Sequence, residues 1–259
     1  MSSNFITNRD KFLSDIINGI LPKTDAVDIL VGYFYYSGYA ELSEKLKDKQ
    51  IRILVGLDID LHISKRISEV ENFRKGFVSR NIVKEEYYKQ FINLFNNSDF
   101  LDSAEKLEQF RMFYEKILDG TLEIRKTLDP CHSKMYLFAY NDSMNEGGEL
   151  PGVLITGSSN LSYQGLKGRL ELNARFNDKQ DYEEGKRLFD ELWDDSVVIV
   201  GKDNLDEWNN KVMAHTWYEK LYSPYLMYVR VLKEYFNIPT TNNILTPHDI
   251  TEGKYSNLK

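Results

Sequence analysis

Cysteine is almost absent from the sequence, and this scarcity excludes several kinds of protein. The single cysteine, Cys131, can form no disulfide within the chain and cannot build a thiolate metal cluster. No run of about eighteen apolar residues occurs, so a membrane-spanning helix is not expected. The first residues lack the basic and then apolar pattern of a secretory signal. These absences predict a soluble protein of a reducing compartment, with the cytoplasm as the default.

The chain also lacks an excess of positive charge. It contains 33 lysines and arginines against 40 aspartates and glutamates, which gives a net charge of −7. Such a chain has no overall attraction for polyphosphates, so a nucleic-acid surface would need a local cluster of basic side chains. Walker loops, dinucleotide fingerprints and zinc-ligand spacings are absent as well. We therefore expect no cofactor and no metal.

Apolar runs and turn residues predict an α/β fold. Hydrophobic residues make up 42% of the 259 residues, which is enough for a substantial core. Residues 26–36 and 51–57 have the composition of buried parallel strands, and an amphipathic segment between them completes a βαβ unit. Further elements are predicted as strands over 122–128, 131–140, 152–159, 170–176 and 197–200 and as a helix over 181–196.

Two segments depart from this alternation of strands and helices. Residues 61–120 contain two stretches of helical periodicity and are interpreted as a helical insertion. The main domain is expected to occupy 1–202. Residues 203–259 are expected to form a helical extension followed by an unpatterned linker.

The strand predicted over 131–140 carries an H-x-K pattern. His132 and Lys134 are two residues apart, so their side chains should project from the same face, while Cys131 should point the other way. This arrangement would place a nucleophile beside a cation. The pattern alone is common on ordinary surface strands.

A polar turn, Gly157-Ser158-Ser159-Asn160, follows the next apolar strand. Small residues allow the backbone to approach a phosphate, Ser158 and Ser159 offer hydroxyls, and Asn160 offers an amide donor. The turn could bind an oxyanion. Taken alone, it is better explained by the ordinary preference of these residues for turns.

Glu171 lies between two leucines on the strand predicted over 170–176, so we expect its carboxylate near the interior. A carboxylate beside an imidazole fixes its tautomer and stabilises its charged form. The alternative is a simple ion pair with Arg169 or Arg175.

In this order, the H-x-K pattern, the G-S-x-N turn and a strand glutamate resemble the phospholipase D superfamily over residues 26–202. The resemblance implies a mixed sheet flanked by helices. It also implies that His132 attacks phosphorus to give a phosphohistidine, that Lys134 and Asn160 hold the non-bridging oxygens with help from Ser158, and that no metal takes part.

The sequence departs from the superfamily pattern at one acidic position. Where the family has an aspartate after H-x-K and four further residues, this chain has Ala139. A branch of metal-independent restriction endonucleases and related nucleases lacks that aspartate and uses a glutamate shortly after G-S-x-N, which Glu171 matches. The resemblance therefore favours DNA over lipid as the substrate. It also fits a member that binds without cleaving.

The family site uses two H-x-K motifs, one histidine as nucleophile and the other as general acid. Here His132 alone has a lysine two residues on, since His62, His215 and His248 do not. A complete site therefore implies a two-fold homodimer.

Three functions follow as hypotheses. The first is a homodimeric nuclease in which basic residues near the motifs neutralise phosphates, namely Arg125, Lys126, Lys167 and Arg169. The second is a non-cleaving DNA-binding module of a larger protein, because the tail resembles the junction that precedes a Swi/Snf-type helicase domain in bacterial proteins. The third, less favoured, is a phospholipase, since no basic amphipathic membrane-seeking segment occurs.

Overall fold

The structure is a computed structural model, and it describes residues 4–59, 80–96 and 103–216 with a few positions between 218 and 232. Most of the predicted linker, His62 and His248 lie outside the described residues. The strands are β1 Phe5–Ile6, β2 Thr24–Phe34, β3 Gln50–Ile59, β4 Leu122–Thr127, β5 Met135–Tyr140, β6 Gly152–Gly157, β7 Asn173–Phe176 and β8 Ser196–Val200. The helices are α1 Leu13–Ile20, α2 Tyr36–Leu46, α3 Arg80–Phe95, α4 Ala104–Leu118, α5 Lys179–Asp194 and α6 Leu205–Lys211.

These strands form one mixed sheet of 8 strands in the order β1-β7-β6-β5-β2-β3-β4-β8. β2 pairs in parallel with β3, and β3 with β4, so the predicted βαβ unit is confirmed. β5, β6 and β7 continue the sheet as antiparallel neighbours. The strands β2 and β5 pair with each other at the centre of the sheet and join its parallel part to its antiparallel part.

Helices cover the two faces of the sheet unequally. α5 covers one face with Tyr182, Phe189 and Trp193, which pack on side chains such as Leu54 and Leu137. The opposite face carries the larger core, to which α1, α2, α3, α4 and α6 contribute. The α/β architecture expected from the sequence is thus confirmed. No helix in the described ranges is long and apolar enough to cross a bilayer.

An aromatic cluster joins the helical insertion to the segment after the sheet. Phe91 of α3 lies with its ring centroid 4.8 Å from that of Trp208 in α6, and Phe95 lies 4.9 Å from Phe110 of α4. Trp208 is fully buried in the same core as the sheet. The helices predicted within 61–120 are therefore present at α3 and α4, while 60–79 and 97–102 lie outside the described residues. Packing of the core continues beyond residue 202, where the sequence placed the start of an extension.

Gly56 allows the chain to pass close over the end of the parallel strand β3. The amide of Cys131 donates a hydrogen bond of 3.0 Å to the carbonyl of Gly56 in β3. A β-carbon on Gly56 would lie 1.8 Å from the carbonyl oxygen of Cys131, which no side chain can occupy. Glycine at position 56 is therefore required for the approach of the segment that carries His132.

Replacing Gly56 with alanine should destabilise the fold by roughly 1–3 kcal/mol, because the added methyl group must displace the backbone of Cys131. Gly19→Ala is the matched control, since Gly19 lies in α1 with nothing within 4 Å of the added carbon. That variant should gain up to about 1 kcal/mol from helix propensity. Urea unfolding of both variants tests this, and equal stability of the two would contradict the proposed close approach.

Candidate active site

His132 and Lys134 precede β5 rather than lying inside it. The strand begins at Met135, and residues 130–134 belong to no helix or strand. The prediction of a strand over 131–140 was therefore wrong at its start. The reason is that the amide of Cys131 bonds to the Gly56 carbonyl and not to the neighbouring strand β6.

The two side chains nevertheless lie on the same side, next to Gly32 of β2. A β-carbon on Gly32 would lie 3.0 Å from Cδ2 of His132 and 3.5 Å from Nζ of Lys134. Cys131 instead packs against the cluster beneath α5, as the alternation predicted. Because Gly32 has no side chain, the imidazole and the ammonium can occupy the space above β2 together.

His132 is exposed and Lys134 is buried, so the two groups have different environments. The imidazole has one ring neighbour in the described part of the chain, Tyr33, with centroids 6.2 Å apart and an edge-to-face geometry. Lys134 is 4% exposed, and its ammonium donates a 2.5 Å hydrogen bond to the carbonyl of His132. Burial lowers the pKa of Lys134 below its ordinary value, and nearby Cys131 and Glu171 partly offset this effect.

Hydrogen bonds tie the H-x-K segment to the strand that leads into the G-S-S-N turn. The carbonyl of Lys134 accepts from the Thr156 hydroxyl at 2.7 Å and from the Gly157 amide at 3.4 Å. β6 ends at Gly157, and a β-carbon there would lie 2.3 Å from the carbonyl oxygen of Leu172. The turn is thus held against β5 on one side and against the start of β7 on the other.

Ser158 and Ser159 have opposite exposures. Ser158 is exposed, and its hydroxyl donates to the Glu171 carboxylate and accepts from the Leu172 amide at 3.0 Å. Ser159 is fully buried: its hydroxyl donates to the Gly165 carbonyl and accepts from the side-chain amide of Asn173, both at 2.9 Å. The substrate-binding role expected for Ser159 does not fit this geometry, because its hydroxyl is enclosed and already bonded on both sides.

Asn160 is fixed by the backbone of β2. Its side-chain oxygen accepts a hydrogen bond from the backbone amide of Tyr33 at 3.1 Å. The side-chain nitrogen, which is a donor, therefore points away from that backbone amide. The ring of the same Tyr33 contacts His132. Tyr33 therefore connects the nucleophile candidate to the oxyanion-binding candidate, a link that the sequence analysis missed.

Glu171 lies two residues before β7 and is half-buried. Its carboxylate accepts from Ser158 and acts electrostatically on Lys134. Within the described residues Glu171 forms no ion pair with Arg169 or Arg175. The guanidinium of Arg175 instead donates to Asn177. A hydrogen bond from His132 to Glu171 is likewise absent from that part of the chain. The carboxylate joins the site through Ser158 and Lys134.

The leucines on either side of Glu171 face outward. Leu170 is 61% exposed and Leu172 is 58% exposed, so the expectation that they hold Glu171 against the interior was wrong. Phe5, on the edge strand β1 that pairs with β7, is 59% exposed. Three large apolar side chains therefore border the site at one edge of the sheet.

Most of the basic residues named from the sequence have structural partners. Lys126 is 2% exposed and donates to the Gly56 carbonyl at 2.8 Å, and Lys167 pairs with Glu41. Arg125 pairs with Glu123 and lies 4.4 Å above the Trp193 ring. Arg169 is exposed and forms no ion pair with any residue that the structure describes. Of the expected phosphate-binding cluster, only Arg169 remains uncommitted.

The sequence gives a weak signal for the residues that it did not identify. Gly32 and Tyr33 lie near the end of β2, within the run 26–36 that has the composition of a buried strand. Tyr36 and Tyr39 are indeed buried there. Tyr33 and Tyr35 are half-buried beside the site, and Ser37 lines a cleft next to Asn160.

Comparisons with known proteins identify the family of the chain. A family model described as "Cardiolipin synthase, PLD-like domain" matches residues 23–193, which include every residue of the candidate site. No curated protein matches the chain. The similar solved structures include phosphatidylserine synthase of Haemophilus influenzae, with 15% identity, 90% of this chain and 46% of that chain covered, and a TM-score of 0.46.

Two further solved structures are similar at low identity. Polyphosphate kinase of Porphyromonas gingivalis shares 10% identity over 73% of this chain and 22% of its own, with a TM-score of 0.39. The phospholipase D family member Nuc of Salmonella typhimurium shares 10% over 71% of this chain and 88% of its own, with a TM-score of 0.36. The chain thus spans less than half of the kinase and of the synthase.

The assignment rests on the family model, because it matches well over half of the chain and contains both the H-x-K and the G-S-S-N segments. The chain belongs to the phospholipase D-like family that this model describes, within the phospholipase D superfamily.

Proposed function

We propose that the protein is a metal-independent nuclease that cleaves DNA through a phosphohistidine on His132, in a site shared by two copies of the chain. The observation that carries this proposal is the placement of an exposed imidazole and a buried ammonium around Gly32, beside Asn160. These groups supply a nucleophile and donors for the non-bridging oxygens.

The reaction proceeds in two displacements. A ring nitrogen of His132 forms a bond to phosphorus, the bond from phosphorus to the leaving oxygen breaks, and that oxygen takes a proton from the partner subunit's His132. Water then attacks phosphorus, the bond from phosphorus to nitrogen breaks, and the partner imidazole accepts the proton of the water. Lys134 supports both steps, because its buried ammonium interacts more strongly with a phosphate than an exposed one would.

The choice of DNA rests on Glu171 and on the single H-x-K motif. Glu171 matches the glutamate of the nuclease branch, and it lies against Ser158 at the site. The family model is described by cardiolipin synthase, so phosphatidyl transfer is the competing activity. Turnover of phosphatidylglycerol without turnover of DNA would replace the nuclease proposal with that activity.

A non-cleaving DNA-binding module is the second candidate, with a helicase domain in the same natural chain. Two observations favour it. Position 139, where the family has an aspartate, is an alanine, and the carboxylate of Glu171 bonds to Ser158 and not to His132. Ala139 packs against the cluster beneath α5, away from His132. DNA binding without hydrolysis in any buffer would favour this candidate.

The dimer is proposed to form at the apolar border of the site. Leu170, Leu172 and Phe5 are exposed there, and the backbone of Glu171 is bonded to Thr7. An apolar patch next to an incomplete catalytic group is suited to a second copy that brings another His132.

Hydrolysis of DNA in the presence of EDTA tests the chemical proposal. The wild-type protein should cleave DNA with EDTA in excess, and His132→Ala should lower the rate by roughly a thousandfold or more, because the nucleophile is lost. Ser133→Ala is the matched control, since Ser133 is exposed between the two motif residues. It should retain the wild-type rate. Intact DNA in every single- and double-stranded form would rule out the nuclease.

A charged side chain introduced into the proposed interface tests the dimer. Leu172→Asp should shift the protein to a monomer in analytical ultracentrifugation and reduce DNA hydrolysis in parallel, because an unpaired carboxylate would be buried in the interface. Ile82→Asp is the control, because Ile82 on α3 is 56% exposed and remote from the site in the chain. A Leu172→Asp protein that stays dimeric would show that the interface lies elsewhere.

A further inference from the structure

A cleft of about 240 Å³ adjoins the candidate active site. Asn160 and Glu171 belong to both. One wall comes from the junction between β2 and α2, with Tyr35 and Ser37, and the opposite wall comes from the turn that leads from Asn160 to Arg169. A substrate chain that passes the G-S-S-N turn would therefore enter this cleft next.

The two walls are held together by direct hydrogen bonds. The amide of Tyr35 donates to the Leu161 carbonyl at 3.0 Å, and the amide of Tyr163 donates to the Ser37 hydroxyl at 3.3 Å. A β-carbon on Gly38 would lie 2.3 Å from the carbonyl carbon of Leu161, so the backbones are in close contact. The cleft is therefore preformed.

Asn8 fixes the wall that carries Arg169. Its side-chain amide donates to the carbonyls of Gly165 at 2.9 Å and Arg169 at 3.0 Å, and its oxygen accepts from the Leu13 amide at 2.8 Å. Asn8 has a φ of +57°, and it is the one non-glycine residue in the left-handed region within the described ranges. Such a conformation costs free energy, so its bonds position Arg169 at some expense to the fold.

Arg169 gives the cleft its positive group. Lys167, two residues earlier, is paired with Glu41, whereas Arg169 forms no ion pair within the described part of the chain. Glu171 also faces the cleft, but its carboxylate accepts from Ser158 and lies near the Lys134 charge. A guanidinium binds a phosphate through two parallel hydrogen bonds.

We propose that this cleft binds the phosphodiester that neighbours the scissile one in a nucleic-acid strand, with the phosphate on Arg169 and its nucleoside against the Tyr35 ring. This inference rests on the proposed function, because it assumes that the substrate is a nucleic acid. Aromatic rings beside a cationic groove are typical of sites for single-stranded nucleic acid. The proposed ligand is a DNA or RNA strand and not a lipid headgroup.

The test measures binding without turnover. His132→Ala protein is titrated against a fluorescein-labelled single-stranded DNA, by anisotropy, over a series of NaCl concentrations. Adding Arg169→Gln should weaken binding about tenfold or more, since a charge-assisted hydrogen-bonded pair is lost. The slope of log K against log salt should decrease by about 0.7, as expected for one phosphate contact to a single strand. The affinity of the protein with Arg169→Lys should fall between that of the His132→Ala parent and that of the protein with Arg169→Gln.

Arg175→Gln in the same background is the matched control, because it removes the same charge six residues further along, where the guanidinium bonds to Asn177. It should leave both the affinity and the salt slope unchanged. Equal effects of the two substitutions would overturn the inference, and so would a parent protein that binds phosphatidylglycerol vesicles but no DNA or that binds neither. DNA binding that depends on Arg169, without hydrolysis by the wild type, would refute the nuclease and keep the cleft.

Discussion

The candidate site depends on the close approach of residues 130–134 to the ends of β2 and β3. Gly56 admits the backbone of Cys131, and Gly32 leaves room for the side chains of His132 and Lys134. A side chain at position 56 would force the H-x-K segment away from the parallel strands, and one at position 32 would crowd the imidazole of His132. The same approach brings the carbonyl of Lys134 within reach of Thr156, so it also fixes the distance to the G-S-S-N turn.

The position of residues 130–134 close to the parallel strands also buries the side chain of Lys134. Its ammonium loses water, which lowers its pKa, and it keeps one carbonyl and two nearby polar groups as compensation. A phosphate bound above Gly32 would supply the missing negative charge. In the proposed mechanism two further groups complete the site: a bound phosphate balances the charge of Lys134, and a second histidine protonates the leaving oxygen.

Much of the fold follows from the sequence, because apolar runs and amphipathic periods report burial directly. The parallel pair β2 and β3 and the helices α3 to α5 occur where those patterns predict them, whereas β5 begins at Met135 and β7 at Asn173, both later than predicted. Periodicity could not show that the segment carrying His132 lies outside the strand, since the hydrogen bond of Cys131 to Gly56 depends on a strand far away in the sequence.

The site was predicted less completely, for reasons of tertiary contact. Ser159 has the residue type of a phosphate ligand, but Gly165 and Asn173 enclose it. Alternation along the chain could not distinguish leucines of a core from the exposed Leu170 and Leu172. Likewise, the spacing of Arg125, Lys126 and Lys167 gave no sign that each had a partner elsewhere in the fold.

We propose that one active site requires His132 from two copies of the chain. Wild-type and His132→Ala chains can be mixed in graded ratios, exchanged by reversible unfolding and refolding, and assayed for DNA hydrolysis. If every site needs both histidines, the activity should fall with the square of the wild-type fraction, because mixed dimers are inactive. A linear fall would mean that each chain acts alone, and it would contradict the shared site.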